Sequence, residues 1–120
     1  MASAADLIKG AVERVQREAP GLAKLKLVFG VELPARGDVQ VYRVEVPGPT
    51  ISKGFSDDER LRLSMPRAMF NILAAEGELE DWREAYEHGH LKIEGDRKVQ
   101  QLIGQVIERQ LARSRLKRAR

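Results

Sequence analysis

At 120 residues, with 42% hydrophobic and 32% charged side chains, the chain is long enough for one folded core and too apolar to be disordered. It has no cysteine, which excludes disulfides, thiolate metal sites and cysteine nucleophiles together. The net charge of +3 is local, because residues 1–112 hold 16 basic and 18 acidic side chains while Arg113 to Arg120 add five basic and no acidic ones.

In chain order, Ser3 followed by Asp6 predicts a capping box, and Leu7, Ile8, Ala11, Val12 and Val15 then recur at helical spacing. Pro20-Gly21 should stop this helix, whose apolar stripe suits packing on a sheet or contact with a membrane. From Leu25 the period changes to two: Leu25, Leu27, Phe29, Val31 and Leu33 share one face of a strand, with Lys24, Lys26 and Glu32 on the other. A turn at Pro34–Gly37 leads to a second strand from about Asp38 to Val46. Its apolar phase passes from Val39 and Val41 to Val44 and Val46, which predicts a bulge or twist near Tyr42. Pro47-Gly48-Pro49 turns again, Ile51 to Phe55 suits a short edge strand, and Asp57-Asp58 mark a bend.

Leu61 and Leu63 alternate with Arg62 and Ser64 as a half-buried strand, after which Ser64 is placed to cap a helix with Pro66 in its first turn. Met69, Ile72 and Leu73 form one helical stripe with Phe70 on its flank, and Gly77 breaks it. Leu79, Trp82, Ala85 and Tyr86 form another, closed by Gly89. Leu91 and Ile93 restore the strand period, Gly95 permits a sharp exit and Asp96 can cap the helix that follows. The length of the helical link suits a crossover between parallel neighbours. Val99, Leu102, Ile103, Val106, Ile107 and Leu111 line the last helix before arginines take over.

Reactive constellations are scarce. His88-Gly89-His90 is the only histidine cluster, and as metal ligands the pair would need Glu84, Glu87 or Glu94 as well; two exposed histidines are the simpler reading. The acidic run Glu76, Glu78, Glu80, Asp81 and Glu84 suits a solvated helix start rather than acid–base chemistry. No serine stands in a nucleophile elbow and no glycine motif cradles a phosphate. No enzymatic activity, metal or cofactor is expected. Arg109, Arg113, Arg115, Lys117, Arg118 and Arg120 suit a solvated helix end, an anionic membrane or partner surface, or nucleic acid. Nucleic acid is the weakest of these because no aromatics interleave the charges. No apolar run reaches membrane-span length and the N-terminus lacks a signal-peptide core, so a soluble cytoplasmic protein is expected.

Three stretches carry a resemblance: Leu61-Arg62-Leu63-Ser64, Gly77-Glu78-Leu79, and Gly89-His90-Leu91-Lys92-Ile93-Glu94-Gly95-Asp96. In this order and spacing they resemble the sterol carrier protein 2 (SCP-2) lipid-binding domain family. The resemblance implies an α+β domain over 1–112, followed by a basic tail, 113–120. It implies a five-stranded, mostly antiparallel sheet covered on one face by helices, with N-terminal and C-terminal helices, around an apolar cavity. The implied function is non-catalytic lipid binding or transfer, with a fatty acid, acyl thioester, sterol or isoprenoid as ligand and no cofactor. The alternative is an interaction subunit with a filled core, docking to a larger enzyme or membrane through its helical face or basic tail. Expected ligand-lining residues are Phe29, Val31, Val41, Leu63, Met69, Phe70, Leu73, Trp82, Tyr86, Ile93, Leu102, Ile103 and Val106, with Met69 and Phe70 foremost. The chain departs from the pattern at Arg97-Lys98, where relatives often carry small or apolar residues, and this change is expected to reshape the pocket mouth. Its ending, Arg118-Ala119-Arg120, lacks the peroxisomal address of some relatives, which points to a bacterial-type cytoplasmic member.

Overall fold

The Ser3–Asp6 capping box forms as the sequence predicts: Ser3 Oγ accepts from the Asp6 amide at 3.1 Å and Asp6 Oδ2 accepts from the Ser3 amide at 3.3 Å. It starts helix α1, Ala4–Glu18, in a computed structural model that describes residues 3–118. α1 buries Ile8 and Ala11, and a 3-10 helix over Pro20–Lys24 carries the chain into the sheet.

The sheet comprises β1 (Leu27–Ala35), β2 (Asp38–Val46), β3 (Thr50–Lys53), β4 (Leu61–Ser64) and β5 (Lys92–Gly95), in the order β3-β2-β1-β4-β5. β1–β2, β2–β3 and β4–β5 are antiparallel, and β1–β4 is parallel. The fold is α+β with a mixed, mostly antiparallel sheet. Helices α2 (Arg67–Glu76) and α3 (Leu79–Glu87) connect β4 to β5, and α4 (Arg97–Arg118) follows β5.

Three local expectations need correction. The helical link does not join parallel neighbours: β4 and β5 are antiparallel, and the parallel pair is β1–β4. β2 carries no bulge, since its pairing with β1 runs unbroken from Leu27↔Val46 to Ala35↔Asp38. The apparent change of phase arises because Tyr42, Val44 and Val46 are the buried set, while Val39 and Val41 lie on the opposite face. Ser64 belongs to β4 and donates its hydroxyl to Glu32 Oε2 at 3.2 Å, so the residue flanking α2 is Pro66 instead.

Other punctuation behaves as read. Gly89, at φ 79°, ends α3 with paired bonds, from the Gly89 amide to Tyr86 O and from the His90 amide to Ala85 O. Gly95, at φ 122°, lies so close to β4 that a Cβ would meet Arg60 O at 2.3 Å. Asp96 Oδ1 then accepts from the Lys98 and Val99 amides at 2.9 and 3.3 Å and starts α4. α1 also clamps the α2–α3 junction. Arg14 donates to the carbonyls of Ala75 and Gly77 at 3.1 and 3.2 Å, while Glu18 Oε2 accepts from the Leu79 amide at 3.1 Å. A cation at the end of α2 and an anion at the start of α3 each suit the helix dipole they face.

The sheet face away from the helices is closed by the 54–60 segment. Phe55 stacks on the Arg62 guanidinium, 3.4 Å from carbon to ring centroid, and Asp58 pairs with Arg43 at 2.6 Å. Glu59 pairs with Arg62 and lies over Gly30, where an added Cβ would come within 2.5 Å of its Oε2.

Candidate functional site

Among the described residues, all the buried apolar side chains except Leu61 fall into two clusters. One joins Ile8, Ala11, Val31, Leu33, Tyr42, Val44, Val46, Met65, Phe70, Ala74 and Ala85; the other joins Ala19, Leu79 and Leu111, with Val15, Leu22, Val106 and Ile107 packed on it. Between them lies an apolar pocket of about 230 Å³. The space is partly open to the surface, an apolar cleft between sheet and helices rather than a sealed void.

The sheet supplies Leu27, Phe29, Val31 and Leu33 from β1, Val46 from β2, Leu61 and Leu63 from β4, and Ile93 from β5. α1 faces them with Ile8, Ala11, Val12, Val15 and Gln16; α2 adds Phe70, α3 adds Leu79 and Trp82, and α4 adds Ile103 and Ile107. Leu22, Leu25, Met65 and Leu91 close the gaps between elements. Phe70 and Trp82 meet edge to face, their centroids 6.0 Å apart. Among the described residues no charged side chain lines the space. Of its two polar liners, Ser64 and Gln16, the serine spends its hydroxyl on Glu32.

Seven of the expected lining residues border this pocket: Phe29, Val31, Leu63, Phe70, Trp82, Ile93 and Ile103. Val41, Met69, Leu73, Tyr86, Leu102 and Val106 do not. Val41 is on the wrong face of β2, as its register requires. α2 turns Phe70 and Ala74 inward, which leaves Met69 and Leu73 half-buried against the larger cluster and Ile72 65% exposed. Tyr86 and Leu102 are 50% and 45% exposed on the outer sides of α3 and α4, and Val106 is taken up by the second cluster. α1 supplies more of the missed liners than any other element, five of them, although its stripe was visible in the sequence and gave no sign of facing a space. Arg97 and Lys98 are exposed and do not border the pocket.

The remaining candidates are dispersed. His88 and His90 are exposed with centroids 6.3 Å apart, and among the described residues no three His, Cys, Asp or Glu side chains gather as metal ligands. Arg43, then Ser56, holds Asp58 well below the usual carboxylate range; Arg60, then the Val99 amide, lowers Asp96. Both acids lie outside the pocket. In the basic stretch, Arg109, Arg113 and Lys117 are exposed, while Arg115 reaches Glu80 at 3.5 Å. Arg120 and the side chain of Arg118 lie outside the described residues. No helix among the described residues is long and apolar enough to cross a membrane.

No protein-family model matches the sequence, and no curated protein matches it. Solved structures do. The chain is similar to palmitated SCP2L2 from Aedes aegypti, with TM-score 0.57 and 13% identity over 83% of this chain and 93% of that one. Apo sterol carrier protein 2 from Yarrowia lipolytica superposes with TM-score 0.54 and 17% identity, over 70% of this chain and 74% of its own. A segment of the sec-alkylsulfatase Pisa1 from Pseudomonas sp. also matches, with TM-score 0.52 and 16% identity over 82% of this chain and 14% of the enzyme. Together with the sheet order and the helical link between β4 and β5, these likenesses show that the chain has the sterol carrier protein 2 fold.

Proposed function

We propose that the chain is a non-catalytic lipid-binding or transfer protein that holds the apolar part of a ligand between sheet and helices. The observation that carries this reading is the division of the core into two clusters with a hydrocarbon-walled space between them. An apolar space of this kind forgoes dispersion and burial that a filled core would gain, and an apolar ligand would recover both. No titratable side chain among the described residues borders the space, which gives it no group placed to move a proton. The palmitated state of the Aedes aegypti protein supports the same use of the fold. Fatty acids, acyl thioesters, sterols and isoprenoids are the ligand classes in view.

α4 is the natural lid. It covers the pocket with Ile103 and Ile107, and Arg60–Asp96, Arg83–Glu108 and Arg115–Glu80 pin it. On its outer side Leu102, Arg109, Arg113 and Leu116 recur at helical spacing; Leu116 is 69% exposed, and neither arginine forms an ion pair among the described residues. Cations interleaved with exposed leucines fit an anionic bilayer surface, where loading would take place. A cytoplasmic carrier meeting membranes transiently is consistent with this arrangement.

Native mass spectrometry of gently purified protein is the test. Co-purified lipid, released by denaturation, is expected. A stable protein partner without lipid, together with failure of a lipid panel to bind, would favour the docking subunit instead.

A further inference from the structure

Resting on the lipid-binding reading, the geometry points to a narrower ligand class: a single hydrocarbon tail of about nine carbons, inserted tail-first with its polar head outside. Two independent features carry this.

The first is the wall. A carboxylate, phosphate or ammonium drawn inside would be desolvated without a counter-charge, and such groups are seldom buried unpaired. Among the described residues no charged side chain borders the pocket, the Ser64 hydroxyl is engaged by Glu32, and Gln16 lines the space with its aliphatic stem rather than its amide. An inserted head group would therefore exchange water for hydrocarbon. The tail alone gains from entry.

The second is volume. An apolar cavity of roughly 150 Å³ takes up a six-carbon benzene, which sets a scale of about 25 Å³ per carbon. At that scale the 230 Å³ pocket holds about nine carbons. A whole sterol, with roughly three times as many carbons, is too large for the pocket. A sixteen-carbon chain would leave its head-proximal half at the surface. The pocket thus measures tail length and ignores head chemistry.

The test uses the full chain, delipidated, with Trp82 as reporter. It is the only tryptophan and stands in the pocket wall, so a tail beside it should shift its emission to the blue. Straight-chain alcohols, carboxylates and trimethylammonium amphiphiles from six to fourteen carbons are titrated below their micelle concentrations. Affinity should rise about fourfold per methylene, then level off between eight and ten carbons, with the three head groups within about threefold at equal length. Ile103→Ala, which removes three carbons from the wall, should move the break up by about three methylenes. An affinity that climbs fourfold per methylene through fourteen carbons overturns the length limit. A thirtyfold preference for one head group overturns the tail-only wall. No binding at any length or head group overturns the lipid-binding reading itself, a distinguishable result.

Discussion

Ala11 stands on α1, 7% exposed, with the pocket in front of it. Ala11→Leu adds three carbons, which at about 25 Å³ each fill roughly a third of the 230 Å³ space. Burying them gains about 2.4 kcal/mol gross at ~0.8 per carbon, less about 1 kcal/mol for the leucine's lost rotamer freedom. The delipidated variant should be more stable than the parent by about 1–1.5 kcal/mol. In a filled core the same substitution is overpacking and costs about 1–3 kcal/mol. The sign therefore separates a vacant core from a solid one. Urea unfolding of the two delipidated proteins measures it, with the midpoint expected to rise by roughly 0.5–1 M. Tail binding should weaken about sixtyfold, the loss of three methylenes' worth of contact. A midpoint that falls by a comparable amount, with far-UV circular dichroism unchanged, would refute the reasoning.

Three further outcomes follow from contacts outside the pocket. Asp58 and Asp96 have folded pKa values lowered by Arg43 and Arg60 respectively, so their stabilisation is complete above the unfolded value of about 4 and is lost as pH falls below it. Thermal melts between pH 7 and pH 2 should show this decline, and the Asp58→Asn, Asp96→Asn double variant should flatten it; an unchanged slope would contradict the pairing. Arg14→Met should cost about 1–2 kcal/mol in urea unfolding by leaving the Ala75 and Gly77 carbonyls without their charged donor, whereas Arg17→Met, on the exposed side of α1, should cost little. Replacing both Arg109 and Arg113 with Gln should reduce sedimentation with anionic vesicles about thirtyfold at low salt, at about 1 kcal/mol per charge, without moving the melting temperature; undiminished sedimentation would place the membrane contact elsewhere.

How far the residues disclose the molecule depends on period. Leu25 to Leu33 was legible because five apolar side chains alternate without interruption, and the Gly89 and Gly95-Asp96 stops because few residues satisfy such backbone and capping requirements. The resemblance of the 61–96 stretch pointed to the same architecture. Strand pairing was less legible: β4 has four residues, too few for its pattern to distinguish β1 from β5 as parallel neighbour. On α2, apolar residues surround much of the helix, so the sequence stripe centred on Met69 and Leu73 misplaces an inner face that turns on Phe70 and Ala74. Tyr86 and Leu102 misled because a large apolar side chain on a helix need not be buried. The pocket itself leaves no periodic trace. A stripe such as that of α1 looks the same whether it meets a packed neighbour or a gap, and only the separation of the two clusters distinguishes them.

The most direct measurement is a crystal structure of the delipidated protein soaked with an alcohol bearing a bromine at the end of an eight-carbon chain. The bromine's anomalous peak should lie between the sheet and α1, within contact of Phe29, Phe70 or Trp82, and the hydroxyl should stay at the protein surface. If the peak is absent, and side chains from the two clusters meet where the pocket now stands, the fold remains and the carrier does not.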